Sequence, residues 1–503
     1  MSGTGKVMEE KPFEPAPKTV PIVRCHCHPC ELTVHVHGTP APVACPYCRR
    51  PFERVESEVP MAASADFPSL EEIRERKVRL YHRPPQWLSA LILTVAVVML
   101  ATAVYMQLRS AGNYFYQPLV SLYSLVAGIF VVSRFLIAAM YLPPRAIEGF
   151  EPTLSVLVPC MNEEGVIRQT IERIFAAGYP PDKAEVVCVN DGSTDHTLEQ
   201  MLAAQTRHPN LVVVDFAKNR GLCHAWAVGV LLSRAEFLVC VDSDTFIFPG
   251  SLKKLMQGFV DPAVGGISGH CDVENADTNL LTRMQDVRYF FSYAVMKAAE
   301  SVTGTVSCLP GCFSAYRRVC VLHVLDEWLN ARVMGEYGNF ADDRSLTNLI
   351  LRDYRILYDA QSLATTIAPD RWRQYVRQQL RWNRSYLREI VKVGHWMWRK
   401  HPVPALSWYA MMWMPIVEPL VISAALIVAP LMTLLTGRGN IVWSYLVGVV
   451  AITAVWTLHY WERTGRRYWW TGFLYTMSYM TFFSWQIYAA LLTLRGRKWG
   501  TRG

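Results

Sequence analysis

The sequence predicts an α/β domain of Rossmann-like type on the cytosolic side of an α-helical membrane bundle, and three observations carry that reading. Charge is nearly absent from residues 87–107 and 117–133 and from most of 404–436, 441–458 and 470–494. Each stretch is long enough to cross hydrocarbon about 30 Å thick. Between the second and third, β-branched runs (154–158, 184–189, 211–214, 237–241) alternate with helix-like stretches, the pattern of a mostly parallel sheet. Ahead of them, Cys25, Cys27, Cys30, Cys45 and Cys48 crowd together, five of the chain's 13 cysteines.

At 503 residues the chain exceeds what one core organises, so several modules are expected. Its net charge of +8 sits mainly beside the apolar segments, at 74–83, 463–467 and 495–502. Positive-inside bias accounts for that placement, so the expected partner is a lipid bilayer and not nucleic acid.

In chain order, residues 1–24 are expected to be flexible, since they hold Pro and Glu without apolar periodicity. A polar start also argues against a cleavable signal peptide, leaving the N-terminus cytoplasmic. Residues 25–52 form the cysteine module. Cys27-x-x-Cys30, fourteen residues and then Cys45-x-x-Cys48 is ribbon-type spacing for structural Zn²⁺, with Cys25, His26 and His28 as competing ligands. It reads as an appended zinc-ribbon-like docking module for a possible protein partner. Residues 53–84 are assigned to a linker and 85–142 to transmembrane helices 1 and 2.

Residues 148–370 make the cytosolic α/β domain and 371–403, rich in Trp, Arg and Tyr, amphipathic helices in the membrane interface. Residues 404–494 hold the remaining transmembrane helices, and 495–503 a cytosolic tail. Three spans would leave that basic tail outside, so 470–494 is expected to be a re-entrant hairpin, giving a multi-pass protein with both termini cytoplasmic. Glu418, between Pro415 and Pro419, either faces a polar channel or makes a hydrogen bond between helices.

The chemistry is concentrated at strand ends, where open α/β sheets bind ligands. The first strand ends at Asn162-Glu163-Glu164 and the second at Asp191-Gly192-Ser193; carboxylates there can accept from a uracil ring or a ribose. Alone, the Asp-Gly-Ser is only a turn. The strand over 237–241 runs into Asp242-Ser243-Asp244, a pair of hard oxygen ligands able to hold Mg²⁺ or Mn²⁺ against a diphosphate. Farther on, Asp342-Asp343 precedes a helix, as an acidic N-cap or as a base for an acceptor hydroxyl. Gln378-Gln379-Leu380-Arg381-Trp382 offers a guanidinium for a pyrophosphate and an aromatic face for a sugar.

These motifs in this order, over roughly residues 86–503, resemble the processive family 2 glycosyltransferases, which include hyaluronan, chitin and cellulose synthases and the nodulation chitooligosaccharide synthase. The runs at 342–349 and 378–389 and the tail Trp499-Gly500-Thr501-Arg502 are similar to hyaluronan synthase, whereas 307–317 is more similar to chitin synthase. The resemblance implies a GT-A fold, with Glu163 and Asp191 on the uridine, Asp242 and Asp244 on diphosphate and metal, and Asp343 as general base. It further implies Gln378 and Arg381 on the pyrophosphate, Trp382 and Cys308 at the acceptor, and Trp499, Thr501 and Arg502 in a gating element.

The implied activity is processive, inverting polymerisation of UDP-GlcNAc, with or without UDP-GlcUA, into a β-linked polysaccharide that crosses the membrane as it grows. A chitin or chitooligosaccharide synthase, a non-processive membrane transferase and an inactive zinc-bearing scaffold are the alternatives. One departure stands out: Leu222 follows Asn219-Arg220-Gly221 where the family has Lys, leaving Lys218 or Arg220 as the replacement phosphate-side cation.

Overall fold

The computed structural model describes residues 19–37, 41–61, 118–333, 336–337, 342–400, 402–436 and 441–496, with five single helical positions between 87 and 105. The expected gating residues Trp499, Thr501 and Arg502 and most of the first transmembrane helix lie outside these.

The described chain begins with β1 (Thr19–Cys27), β2 (Leu32–His37) and β3 (Glu53–Pro60), followed by helix α1 (Pro118–Ala139). The α/β domain then runs β4 (Leu154–Cys160), α2 (Ile167–Phe175), β5 (Ala184–Asn190), α3 (Thr197–Gln205), β6 (Leu211–Phe216), α4 (Leu222–Leu232) and β7 (Phe237–Cys240). It continues with β8 (Thr245–Ile247), α5 (Ser251–Gln257), β9 (Val264–Val273), α6 (Leu280–Phe290), α7 (Ala298–Val302), β10 (Ser314–Arg317) and α8 (Arg318–Leu329). After a two-stranded ribbon, β11 (Arg332–Val333) with β12 (Glu336–Tyr337), come α9 (Asp343–Leu351), β13 (Arg355–Thr366) and α10 (Trp372–Gly394). The last elements are α11 (Pro402–Ser423), α12 (Ala429–Thr436), α13 (Ile441–Thr464), α14 (Thr471–Ser478) and α15 (Gln486–Leu492).

The four β-branched runs are the strands β4 to β7, paired in parallel in the order β6-β5-β4-β7. Every residue of β4 is buried, as parallel strands covered on both faces require. On one side β10, β9, β13 and β8 extend the sheet; on the other, β2 pairs antiparallel with β6 and is followed by β1 and β3, giving eleven strands. The cysteine module is therefore wider than 25–52 and is built into the sheet of the α/β domain. Residues 19–24 belong to β1, not to a flexible arm, and 53–60 form β3, not a linker, because both satisfy their backbone groups in the β1–β3 ladder.

Two described helical segments are long and apolar enough to cross a membrane, Leu122–Ala139 and Pro402–Val428. The region over 371–403 contains one long helix, α10, with α11 starting already at Pro402. The expected hairpin at 470–494 is corrected: Ser478, Tyr479, Ser484 and Trp485 all keep right-handed helical backbone angles. The chain cannot reverse without leaving that region, so 471–492 runs as one irregular helix through a π segment. Its far end docks on α10, where Arg388 donates to the carbonyls of Leu494 (2.7 Å) and Gly496 (2.8 Å).

Candidate active site

The loops after β4, β5 and β7 lie at the same carboxyl edge. The β4 and β5 loops interlock. Asn162, at φ +56°, accepts from the Thr194 N–H (2.8 Å), Glu163 N–H donates to Thr197 Oγ1 (2.8 Å), and Glu164 accepts from the His196 N–H (2.9 Å). This fixes Glu163 beside the Asp191 turn.

Asp191 itself is 4% exposed and receives three donors: Arg220 N–H at 2.7 Å, Gly221 N–H at 2.9 Å and Asn219 Nδ2 at 3.0 Å. Burial still outweighs these bonds and pushes its carboxyl above the ordinary range. Gly192 is obligatory, since it sits at φ +68° and an added Cβ would lie 2.4 Å from the Asn219 nitrogen. Lys218 and Arg220, the two cations offered in place of the family's Lys, contact the cysteine module: Lys218 Nζ pairs with Glu31 (3.3 Å) and the Arg220 guanidinium bonds to the Cys30 carbonyl.

The second centre gathers Asp242, Asp244, Asp343 and Arg381. Burial, then the charges of Asp244 and Asp343, raise the Asp242 carboxyl to about 7, against the pull of Arg381. Asp244 accepts from Thr366 Oγ1 at 3.1 Å. The two adjacent acids of the 342–343 pair separate in role. Asp342 caps α9 in a reciprocal box with Ser345, and its carbonyl accepts from Trp328 Nε1 at 3.0 Å. Asp343, one residue later, accepts from the Gly311 N–H at 3.2 Å and lies within electrostatic reach of Asp242, with its carboxyl raised first by burial and then by Asp342.

Gly311 is the contact between the two acids. A Cβ there would come 2.8 Å from Asp242 Oδ1, while its N–H holds Asp343. Sequence reasoning passed over this glycine, although it stands inside the 307–317 run. Cys308 lies near Asp343, and burial pushes its thiol up to about 12, so it is neutral at physiological pH. Its carbonyl accepts from Lys297.

On α10, Arg381 reaches the acids and has its own pKa lowered by burial, which Asp343 and Asp242 oppose. Gln378 Oε1 is buried without a partner among the described residues. Trp382 has the Arg288 guanidinium 5.5 Å from its ring centre, a cation that sequence reading did not identify because it comes from α6, almost a hundred residues away.

In the cysteine module the sulfurs of Cys27, Cys30, Cys45 and Cys48 all lie within 4.8 Å of one another. Four thiolates at about 2.3 Å from a tetrahedral zinc stand about 3.8 Å apart, so this set fits such an ion.

Residues 155–324 match the family described as Glycosyl transferase family 2. The chain is 28% identical to a hyaluronan synthase of Streptococcus pyogenes over 313 residues, 61% of this chain and 73% of that protein. It is 33% identical to an N-acetylglucosaminyltransferase of Neorhizobium galegae over 244 residues, 48% of this chain and 56% of that protein. Among solved structures, a mannosyltransferase from Pyrobaculum calidifontis in complex with GDP-Man and Mn²⁺ matches with a TM-score of 0.51 at 20% identity, covering 71% of this chain and 99% of that one. At that identity the likeness concerns the fold, and the α/β domain is a GT-A fold.

Proposed function

We propose that this hexosyltransferase, with its family 2 glycosyltransferase domain, is a processive, inverting synthase that extends a β-linked polysaccharide of hyaluronan type from UDP-sugars and moves it across the membrane. The observation that carries the proposal is that Asp242 and Asp343 meet across Gly311, with the charge of Arg381 acting on Asp242 and held by both acids.

In this reading Glu163 and Asp191 hold the uridine. Asp242 and Asp244 are the residues that would hold Mg²⁺ or Mn²⁺; the burial and, after it, the neighbouring acids that raise the Asp242 carboxyl are the condition a divalent cation relieves. When bound, the ion supplies Lewis-acid stabilisation of the departing diphosphate. Arg381 and Gln378 orient that diphosphate from α10. Asp343 takes the proton of the acceptor hydroxyl, which attacks the anomeric carbon from the face opposite the leaving group, so the configuration inverts. Its raised pKa brings its basicity closer to the working pH than an ordinary carboxylate's. Trp382 stacks on the acceptor sugar beside Cys308, whose neutral thiol does not compete as a nucleophile.

The apolar segments Leu122–Ala139 and Pro402–Val428 support membrane embedding. We assign the polymer's path to that bundle, the catalytic domain to the cytosolic face, and a gating role to Trp499, Thr501 and Arg502. The four module cysteines are assigned to a structural Zn²⁺. The similarity to an N-acetylglucosaminyltransferase favours a second reading, a chitooligosaccharide synthase using UDP-GlcNAc alone. Purified protein with Mn²⁺ or Mg²⁺ and UDP-GlcNAc, UDP-GlcUA or both tests the two. A hyaluronidase-sensitive polymer that needs both donors supports the first; a chitinase-sensitive product from UDP-GlcNAc alone supports the second. UDP release without any polymer contradicts processivity.

A further inference from the structure

The cysteine module touches the α/β domain at one place with chemical meaning. Pairing of β2 with β6, Leu32 opposite Phe216, brings the Cys27–Cys30 knuckle to the end of β6, where the loop 217–221 begins. Ala217 N–H donates to the Glu31 carbonyl at 3.3 Å, and Lys218 pairs with the Glu31 carboxylate.

The second knuckle closes on the same loop. Arg220 reaches the Cys30 carbonyl, and its guanidinium lies 5.7 Å from the centre of the Tyr47 ring, the residue between Pro46 and Cys48. Tyr47 OH donates to the His224 carbonyl in the first turn of α4 at 3.0 Å. On its other side this loop delivers the three donors that hold Asp191. Gly192 meets the Asn219 backbone at a distance no side chain would permit, so the turn and the loop have no slack between them.

We propose that the zinc module is a structural part of the donor pocket: with Zn²⁺ on Cys27, Cys30, Cys45 and Cys48, its knuckles clamp residues 217–221, and that loop sets the carboxylate of Asp191 for the nucleotide. Arg220 is the positioning residue of this coupling. The inference rests on Asp191 being a nucleotide ligand. Loss of the ion frees the two knuckles from each other, and Arg220 then loses the Cys30 carbonyl and the Tyr47 ring together, keeping only the Phe216 ring of β6 at 5.1 Å. Such site-to-site couplings commonly change affinity by about 5- to 150-fold. The module thereby makes donor binding sensitive to zinc.

The test titrates UDP against the full chain in detergent, with Mg²⁺ constant, before and after a zinc-selective chelator and again after Zn²⁺ is restored; bound zinc is measured at each stage. We expect about tenfold weaker UDP binding on stripping and recovery on restoration. Arg220→Ala is expected to weaken UDP binding similarly with zinc bound and to abolish the further response to stripping, with donor KM rising more than kcat falls; Arg220→Lys recovers part. An equal Kd with zinc verifiably gone overturns the coupling and leaves the donor pocket intact. Failure of the zinc-loaded protein to bind UDP overturns the nucleotide reading of Asp191 and the coupling with it. If stripping unfolds the protein, Arg220→Ala and Tyr47→Ala decide with zinc bound, and an unchanged UDP Kd in both overturns the proposal.

Discussion

Asp191 and Asp242 follow neighbouring parts of the same parallel sheet, yet their surroundings are opposite. Asp191 is enclosed by three N–H donors from one loop, a finished anion site. Asp242 faces Asp244 and Asp343, with Arg381 as the opposing cation. One sheet edge thus carries two kinds of carboxylate. A carboxylate whose hydrogen bonds are already made is a fixed template, whereas one buried beside like charge keeps free energy to release when a cation arrives.

The largest test of that division is Asp343→Asn. Loss of a general base costs about 10²- to 10⁴-fold in rate, so transfer should fall by that order while UDP affinity stays near that of the parent. Comparable turnover in the variant would remove Asp343 from the chemistry. Asp191→Asn should do the converse, raising donor KM by about tenfold or more, since hydrogen bonds to a charged group contribute about 1.5–3 kcal/mol each. A larger effect on kcat than on KM there would erase the contrast between the two sites.

Gly192→Ala comes next. Its positive φ and the 2.4 Å approach to Asn219 should cost about 1–3 kcal/mol, read as a lower melting temperature with donor KM raised alongside. Trp382→Ala should weaken acceptor affinity about tenfold, by loss of stacking worth about 1–2 kcal/mol, in a titration of oligosaccharide primers.

The smallest effect is a pH signature. The folded Asp242 carboxyl, at about 7, lies above its unfolded value of 3.8. The folded state therefore holds the proton more tightly, and the stability this contributes is full below about pH 4 and is lost as pH rises through about 7. Protein without divalent ions should lose melting temperature across that window, Asp242→Asn should flatten the loss, and Mn²⁺ should offset it above pH 7. An unchanged slope in the variant would assign the crowding elsewhere.

Much of the reacting end could be read from the chain, because β4 to β7 announce themselves as β-branched runs and their acids follow directly. The pair Asp342-Asp343 supported two readings, cap or base, and the cap is Asp342, because its backbone is extended (φ −149°) while Asp343 is already helical. What stayed hidden depends on contacts between distant segments. Arg220 is 29 residues from Asp191, Gly311 is 69 from Asp242, and Arg288 is 94 from Trp382. Nothing local in β1 to β3 says that a cysteine-rich module will continue a parallel sheet, since that pairing is decided by register with β6 alone.

The continuation also changes what the sheet offers to other molecules. Strand β6, Leu-Val-Val-Val-Asp-Phe, would by itself be an apolar border with open backbone groups, the sort of edge on which chains stack into aggregates. The border is instead β3, Glu-Arg-Val-Glu-Ser-Glu-Val-Pro, with four charges, a closing proline and nearly every side chain in solvent. An acidic outer strand repels its own copy, so the same addition that grips residues 217–221 replaces an edge prone to pairing with one that resists it.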